Sequence, residues 1–95
     1  MAEATVTVRD NPEAERYELV VDDEVVGEIV YRLRAGAVVL VHTEVSPELE
    51  GKGLGARLVA GTLEEIRARG LRLVPLCPFV AAYLRRHPEA ADLVA

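Results

Sequence analysis

Tryptophan is absent from the 95 residues, phenylalanine occurs once, and aromatic residues make up only 4% of the chain. With neither exposed aromatics nor a basic stripe, a nucleic acid has nothing to stack on or track along, which argues against such a partner. The single cysteine, Cys77, excludes an internal disulfide and leaves a free thiol, as in proteins of a reducing compartment. The two histidines, His42 and His87, are far apart, and no Cys or His cluster accompanies them, so the common metal patterns are missing. No apolar run reaches the roughly 18 residues of a membrane span. The opening MAEATVTVRD contains no apolar signal segment. The expectation is a cytoplasmic protein without a membrane partner. Internal repeats and low-complexity stretches are also lacking.

What is present is a core. Hydrophobic residues make up 51% of the chain, enough for one packed domain spanning residues 1–95. The net charge of −5 is unevenly spread. Residues 1–49 hold four Arg against eleven Asp and Glu, whereas residues 50–95 hold seven Lys and Arg against five acids. A polyanionic ligand would prefer the second half and an amine or basic partner the first, unless both are merely solvated faces.

Periodicity orders the elements. Thr5 to Arg9 alternates as a short edge strand, and Asn11-Pro12 turns the chain. Tyr17 to Asp22 reads as a second strand, joined through the acidic turn Asp22-Asp23-Glu24 to a third, Val25 to Arg34. After Ala35-Gly36, the run Ala37 to Val45 is the most continuously apolar strand, which suits a central place in a sheet. Leu54, Leu58, Val59, Leu63 and Ile66 then recur at helical spacing, with Gly70 as a stop. Leu71 to Leu76 is a fifth strand, and a strand–helix–strand succession places it parallel to the fourth. Pro75 cannot donate to a ladder, so the two strands should part there. Pro78 opens a second helix, Phe79 to Arg86, which His87-Pro88 ends.

Between the fourth strand and the first helix lie Gly51, Gly53 and Gly55 at alternate positions. Bare backbone followed by the unpaired N–H groups of a helix start favours an anion. A flexible turn would carry the same glycines. A P-loop is excluded because Gly51-Lys52 is followed by Gly53 rather than Ser or Thr, and the dinucleotide fingerprint lacks its later acidic residue.

The run Val45-Ser-Pro-Glu-Leu-Glu-Gly-Lys-Gly-Leu-Gly-Ala-Arg-Leu resembles the acetyl-CoA motif of the GNAT superfamily of acetyltransferases, Arg/Gln-x-x-Gly-x-Gly/Ala after a Val-x-Pro strand end. Gly53 and Gly55 take its two small positions, and Glu50 stands where the family carries Arg or Gln. The segment from Leu73 to Glu89 is similar to a subgroup of very small GNAT-like domains. Together the two matches cover roughly the second half of the chain. The resemblance implies an α/β (α+β) fold: a four-stranded antiparallel meander, a helix, a parallel fifth strand splayed from the fourth, and a C-terminal helix. It also implies acetyl-CoA as cofactor, with its pantetheine arm between the splayed strands. Contacts are expected from the backbone of Thr43 and Val45 and from Glu50, Gly51, Lys52, Gly53, Leu54, Gly55, Ala56 and Arg57. The helical pair after the first strand and the last two strands of larger members are missing, which leaves the substrate site open or completed by a partner.

Acetyl transfer to an amine needs a base, stabilisation of the carbonyl oxygen and a proton for the leaving thiolate. Tyr83 falls where many members keep a Tyr to protonate that thiolate, although it can equally pack in the core. Cys77 precedes a helix N-terminus, where a partly exposed, reactive thiol could take the acetyl group; a small buried hydrophobe is the alternative. His42 and Glu44 share one face of the fourth strand and could deprotonate the amine or Cys77, or be inert.

The leading expectation is an N-acetyltransferase acting on a small-molecule or peptide amine, as a monomer or a homodimer; the apolar tail Ala90 to Ala95 would permit the dimer. A non-catalytic acyl-CoA-binding or sensing module is the second reading. A thiol redox protein is disfavoured, because no second cysteine exists to resolve an oxidised Cys77.

Overall fold

The computed structural model describes residues 5–95. Four strands, β1 (Val6–Asn11), β2 (Arg16–Val21), β3 (Glu24–Arg34) and β4 (Ala37–Val45), form an antiparallel meander. The helix α1 (Leu54–Ala68) then crosses back, and β5 (Arg72–Pro75) joins parallel to β4, so that the sheet order follows the chain order. A second helix, α2 (Pro78–Arg86), completes the fold that the element order implied. The strand limits differ from the expected ones by one or two residues, because ladder pairing continues through Asn11 and begins at Arg16.

Both tight turns of the meander are built from residues with positive φ. Asp22 and Asp23 stand at 48° and 68°, Ala35 and Gly36 at 48° and 81°. Two left-handed residues in succession match the twist of the strands they join. The Asp22 side chain also accepts the Thr5 N–H at 3.0 Å, which ties the turn to the neighbouring strand.

One face of the sheet carries the core. Tyr17, Leu19, Ile29, Val38, Leu40 and Leu73 are buried there against Leu58, Val59, Leu63 and Ile66 of α1. Each such aliphatic side chain contributes about 1.5–3 kcal/mol by leaving water. Val80 of α2 joins the same cluster, so both helices cover this inner face.

An extra residue in β4 decides the geometry of the site. Tyr31 pairs with Leu40 and Val30 with His42, which leaves Val41 without a partner as a β-bulge. Before the bulge Val38 and Leu40 point into the core; beyond it the inward positions are Thr43 and Val45. His42 and Glu44 are thereby turned to the outer face.

The C-terminal tail departs from expectation. A 3-10 helix (Pro88–Leu93) returns to the core, where Ala90 and Leu93 are buried; Val94 bridges to Leu73, and the Ala95 N–H donates to the Leu73 carbonyl at 2.8 Å. The tail covers the edge of β5, with Ala90 and Leu93 taken up by the core.

Candidate active site

The paired stretch of β4 and β5 ends at Leu40 and Pro75. Proline has no N–H with which to extend the ladder. The Cys77 N–H donates to the Leu40 carbonyl at 2.9 Å, and the chain then turns into α2. Beyond Leu40 the two elements diverge, and a cleft of about 420 Å³ opens on the inner face. Thr43 and Val45 form its strand wall, and Glu50, Gly51 and Gly53 its loop. Leu54, Gly55 and Ala56, in the first turn of α1, line it from the helix side. Lys52 is exposed in the same loop without forming the wall, and Arg57 faces a separate groove beside Val8 and Glu64.

Two lining residues were not anticipated from the sequence. Leu49 ends a 3-10 turn (Pro47–Leu49), and Phe79 lies on the first turn of α2, 47% exposed. The available signal was their isolation: one apolar side chain in an acidic turn, and the chain's single phenylalanine beside a helix-starting proline.

The cleft suits an anion at one end. Gly53 is the N-cap of α1 with φ 75°, a left-handed conformation that glycine adopts without strain, and no side chain caps the helix. The first-turn N–H groups therefore face a ligand or water. Gly55 is required for a different reason. A Cβ there would lie 2.7 Å from the Phe79 ring, so the bare backbone lets the ring lie against the helix.

Cys77 is the N-cap of α2 and stands at the closed end of the strand split, but its thiol is buried, with only 3% of the residue exposed. The expectation of a partly exposed thiol is overturned, because Cys77 is packed into the hydrophobic core cluster. Its side-chain partner is Thr43, with Oγ1 and Sγ 3.2 Å apart. His42 does not approach it. The bulge puts His42 on the opposite face, where Nε2 lies 3.0 Å from Glu44 Oε1, and both side chains are largely exposed. The two share a face as expected, but it is not the face of Cys77.

Tyr83 lies a turn of α2 beyond Phe79 and lines a separate groove with Ala60, Glu64 and His87. Its ring stacks on His87 with centroids 4.0 Å apart. Burial, with Glu89 and Glu64 adding to it, raises its pKa above that of a free phenol. The structure does not bring Tyr83 to the wall of the cleft. Among the described residues, no group of three or more His, Cys, Asp and Glu side chains is arranged to hold a metal ion. No described helix is long and apolar enough to cross a membrane.

On the outer face, behind the same end of β4, a second hollow of about 420 Å³ is bordered by Glu28, Glu44, Val45 and Pro47. Val45 belongs to both cavities, so this strand end is the partition between them.

Residues 16–93 match the profile of a family described as GCN5-related N-acetyl-transferase. The chain belongs to that family. A GCN5-like putative N-acetyltransferase from Staphylococcus aureus, solved by NMR in solution, has the same fold with a TM-score of 0.69; the match is 24% identical and covers 93% of this chain and 86% of that one. The ribosomal-protein-S18-alanine N-acetyltransferase from Escherichia coli aligns with a TM-score of 0.58 at 14% identity, over 75% of this chain and 64% of that one. At these identities the likeness is one of fold. No curated protein matches the sequence.

Proposed function

We propose that the chain is an acetyl-CoA-dependent N-acetyltransferase of the cytoplasm that binds its cofactor in the inner cleft and receives an amine from the outer face. The observation that carries this reading is the position of the cleft. It runs from the uncapped N-terminus of α1 to Thr43 on β4 and Phe79 on α2, beyond the last β4–β5 pair at Leu40 and Pro75, and the strand bordering it bears His42 and Glu44 on its other side. First-turn N–H groups of α1, with Gly51 and Gly53, would hold a pyrophosphate, and Lys52, exposed in the same loop, would meet outlying phosphates, whereas Arg57 faces the separate groove. Backbone groups of Thr43 and Val45 would hold the pantetheine arm, which brings the thioester to Cys77.

Two routes to the amine use these residues. In the direct one, the neutral amine attacks the thioester carbonyl, the carbon–sulfur bond breaks, and the amine's proton leaves through His42. An ionised Glu44 can only accept, so Nε2 is the ring's donor to it and Nδ1 is left as the acceptor for the amine's proton. In the covalent one, which needs a local opening that uncovers the buried thiol, the Cys77 sulfur attacks the carbonyl and its proton passes to the departing thiolate, giving an S-acetyl cysteine and free coenzyme A. The amine then attacks that thioester and restores the thiol. Thr43 is placed to donate to the sulfur whenever it is a thiolate. In the covalent route the Cys77 proton serves the leaving group; in the direct route the departing thiolate takes its proton from solvent, because Tyr83 is remote from the cleft wall.

The test is a calorimetric titration with acetyl-CoA followed by an intact-mass spectrum. Micromolar binding with a gain of one acetyl group, absent in Cys77→Ala, supports the covalent route. Binding without the gain, but with transfer to amines that persists in Cys77→Ala, supports the direct one. Absence of binding overturns the proposal. A second reading, an acyl-CoA-binding or sensing module without turnover, is favoured by the Glu50 carboxylate in the cleft wall. Tight binding with no transfer to any amine would establish it instead.

A further inference from the structure

Both helices pack on the inner face of the sheet, and among the described residues no helix or strand covers the outer face of β3, β4 and β5. The register assigns that face in rows. Glu28 lies beside Glu44, and Val30 beside His42. Val41, 40% exposed, follows at the bulge, and Leu76, 65% exposed, lies just past the end of β5. Arg32, Val39 and Val74 then form one row, and Arg34, Ala37 and Arg72 the last. Inward neighbours at Tyr31, Val38, Leu40 and Leu73 are buried, which confirms the alternation.

Along β4 the face is therefore acidic at one end, apolar in the middle and basic at the other. Single exposed valines are ordinary, but a contiguous apolar strip between opposite charges indicates a partner. At the acidic end the charges do not all remain free. Arg16 bridges Glu18 and Glu28, and Arg9 takes the other oxygen of Glu18, so two guanidiniums offset two carboxylates. Glu44, 71% exposed, is met among the described residues by His42 alone, a partner that carries no fixed charge. One such exposed carboxylate suits one ammonium. At the basic end, Arg34 and Arg72 donate to the backbone carbonyls of Leu33 and Asp92, and Arg32 has a carboxylate only at 3.9 Å. These guanidiniums repel a second cation and attract an anion.

We infer that the acceptor is the N-terminus of an extended peptide whose first residues are apolar and whose next is acidic. This rests on the reading that the outer face receives the amine. The ammonium sits at Glu44 and His42 beside the strand split, the apolar side chains lie over Val39, Val41, Val74 and Leu76, and the carboxylate reaches the arginine row. The strip from His42 to Ala37 covers four ladder steps, about 13 Å at about 3.3 Å each, which a tetrapeptide spans from its ammonium to its fourth side chain. A polyamine of similar length would place its second charge against the arginines.

Three acceptors decide the matter: the C-terminally amidated peptides Ala-Val-Leu-Glu and Ala-Val-Leu-Lys, and spermidine. With acetyl-CoA, the acidic peptide is expected to show kcat/KM about fivefold above the basic one, the size of one exposed ion pair, with spermidine poorest. Arg32→Glu combined with Arg34→Glu, both at exposed positions, reverses the order of the two peptides. Equal kcat/KM for the three acceptors, or a preference for spermidine, overturns the inference. A binding readout separates it from the question of turnover. Adding the acidic peptide to methyl-labelled protein should move the resonances of Val39, Val41, Val74 and Leu76 more than those of the core residues Leu58 and Val59. If those four do not move, the peptide site is wrong whether or not acetyl-CoA binds. If they move while acetyl-CoA fails to bind, the surface stands and the cofactor reading falls.

Discussion

Thr43 Oγ1 and Cys77 Sγ stand 3.2 Å apart across the point where β5 leaves β4, in the wall between the cleft and the core. Because Cys77 is only 3% exposed, bulk reagents reach it only through opening of the fold. A thiol-specific aromatic disulfide reagent should therefore react at least about tenfold more slowly with the native protein than with the urea-unfolded chain. Thr43→Ser should keep the protection and the stability. Thr43→Val removes the thiol's side-chain hydrogen-bond partner and should cost about 1 kcal/mol in urea denaturation. Equal reaction rates in the native and unfolded protein would show that the thiol is open to solvent.

Phe79 and Gly55 form the other pair that shapes the cleft. A methyl group at residue 55 would meet the Phe79 ring at 2.7 Å, so in Gly55→Ala the ring must swing away over the cleft that it lines. The expected result is a loss of acetyl-CoA affinity of about tenfold, with destabilisation of about 1 kcal/mol from the crowding. Adding Phe79→Ala should recover most of the affinity, a non-additivity that marks direct contact. If the double variant binds no better than Gly55→Ala, the ring is not what the methyl group displaces.

Glu50 lies in the cleft wall where the ligand would bring negative charge. Glu50→Gln preserves the shape and removes the repulsion. Acetyl-CoA should bind about three- to fivefold more tightly at low ionic strength, with the gain shrinking as salt screens an exposed charge. An affinity that does not change at any salt concentration would mean that the phosphates pass elsewhere.

How far the sequence foretold this arrangement depended on the range of the forces involved. The stripe from Leu54 to Ile66 and the apolar run of β4 were legible because periodicity records which face meets the core. The glycine loop was legible because left-handed backbone and a bare helix start leave few residue choices. The bulge at Val41 left no such mark. One unpaired residue in a run of valines changes no composition, yet it sends Thr43 into the cleft and His42 away from Cys77. Burial of Cys77 depends on Thr43, 34 residues earlier, and the return of the tail onto β5 depends on an edge that only the folded sheet creates. Local pattern cannot record partners that arrive from so far along the chain.

The outer face also contains the chain's most strongly held carboxylate. Glu18 is buried at the sheet surface and accepts hydrogen bonds from Asn11, Arg9 and Arg16, at 3.0, 2.8 and 2.7 Å. These bonds, led by those of Asn11 and Arg9, lower its pKa from 4.5 to about 2. A carboxylate with a depressed folded pKa stabilises the fold above its unfolded pKa, and that stability is lost as the pH falls towards the folded value. The contribution of Glu18 should thus be complete at pH 7 and should disappear between about pH 4.5 and pH 2. Glu18→Gln keeps the shape but not the charge. Its arginine partners are partly exposed and regain water, so the cost at pH 7 should be about 1–2 kcal/mol. Urea denaturation from pH 7 down to pH 3 measures the difference between the two proteins. It should shrink with falling pH, because only the wild type has that charge to lose. A gap that stays constant over the range would show that Glu18 acts by packing and not through its ion pairs.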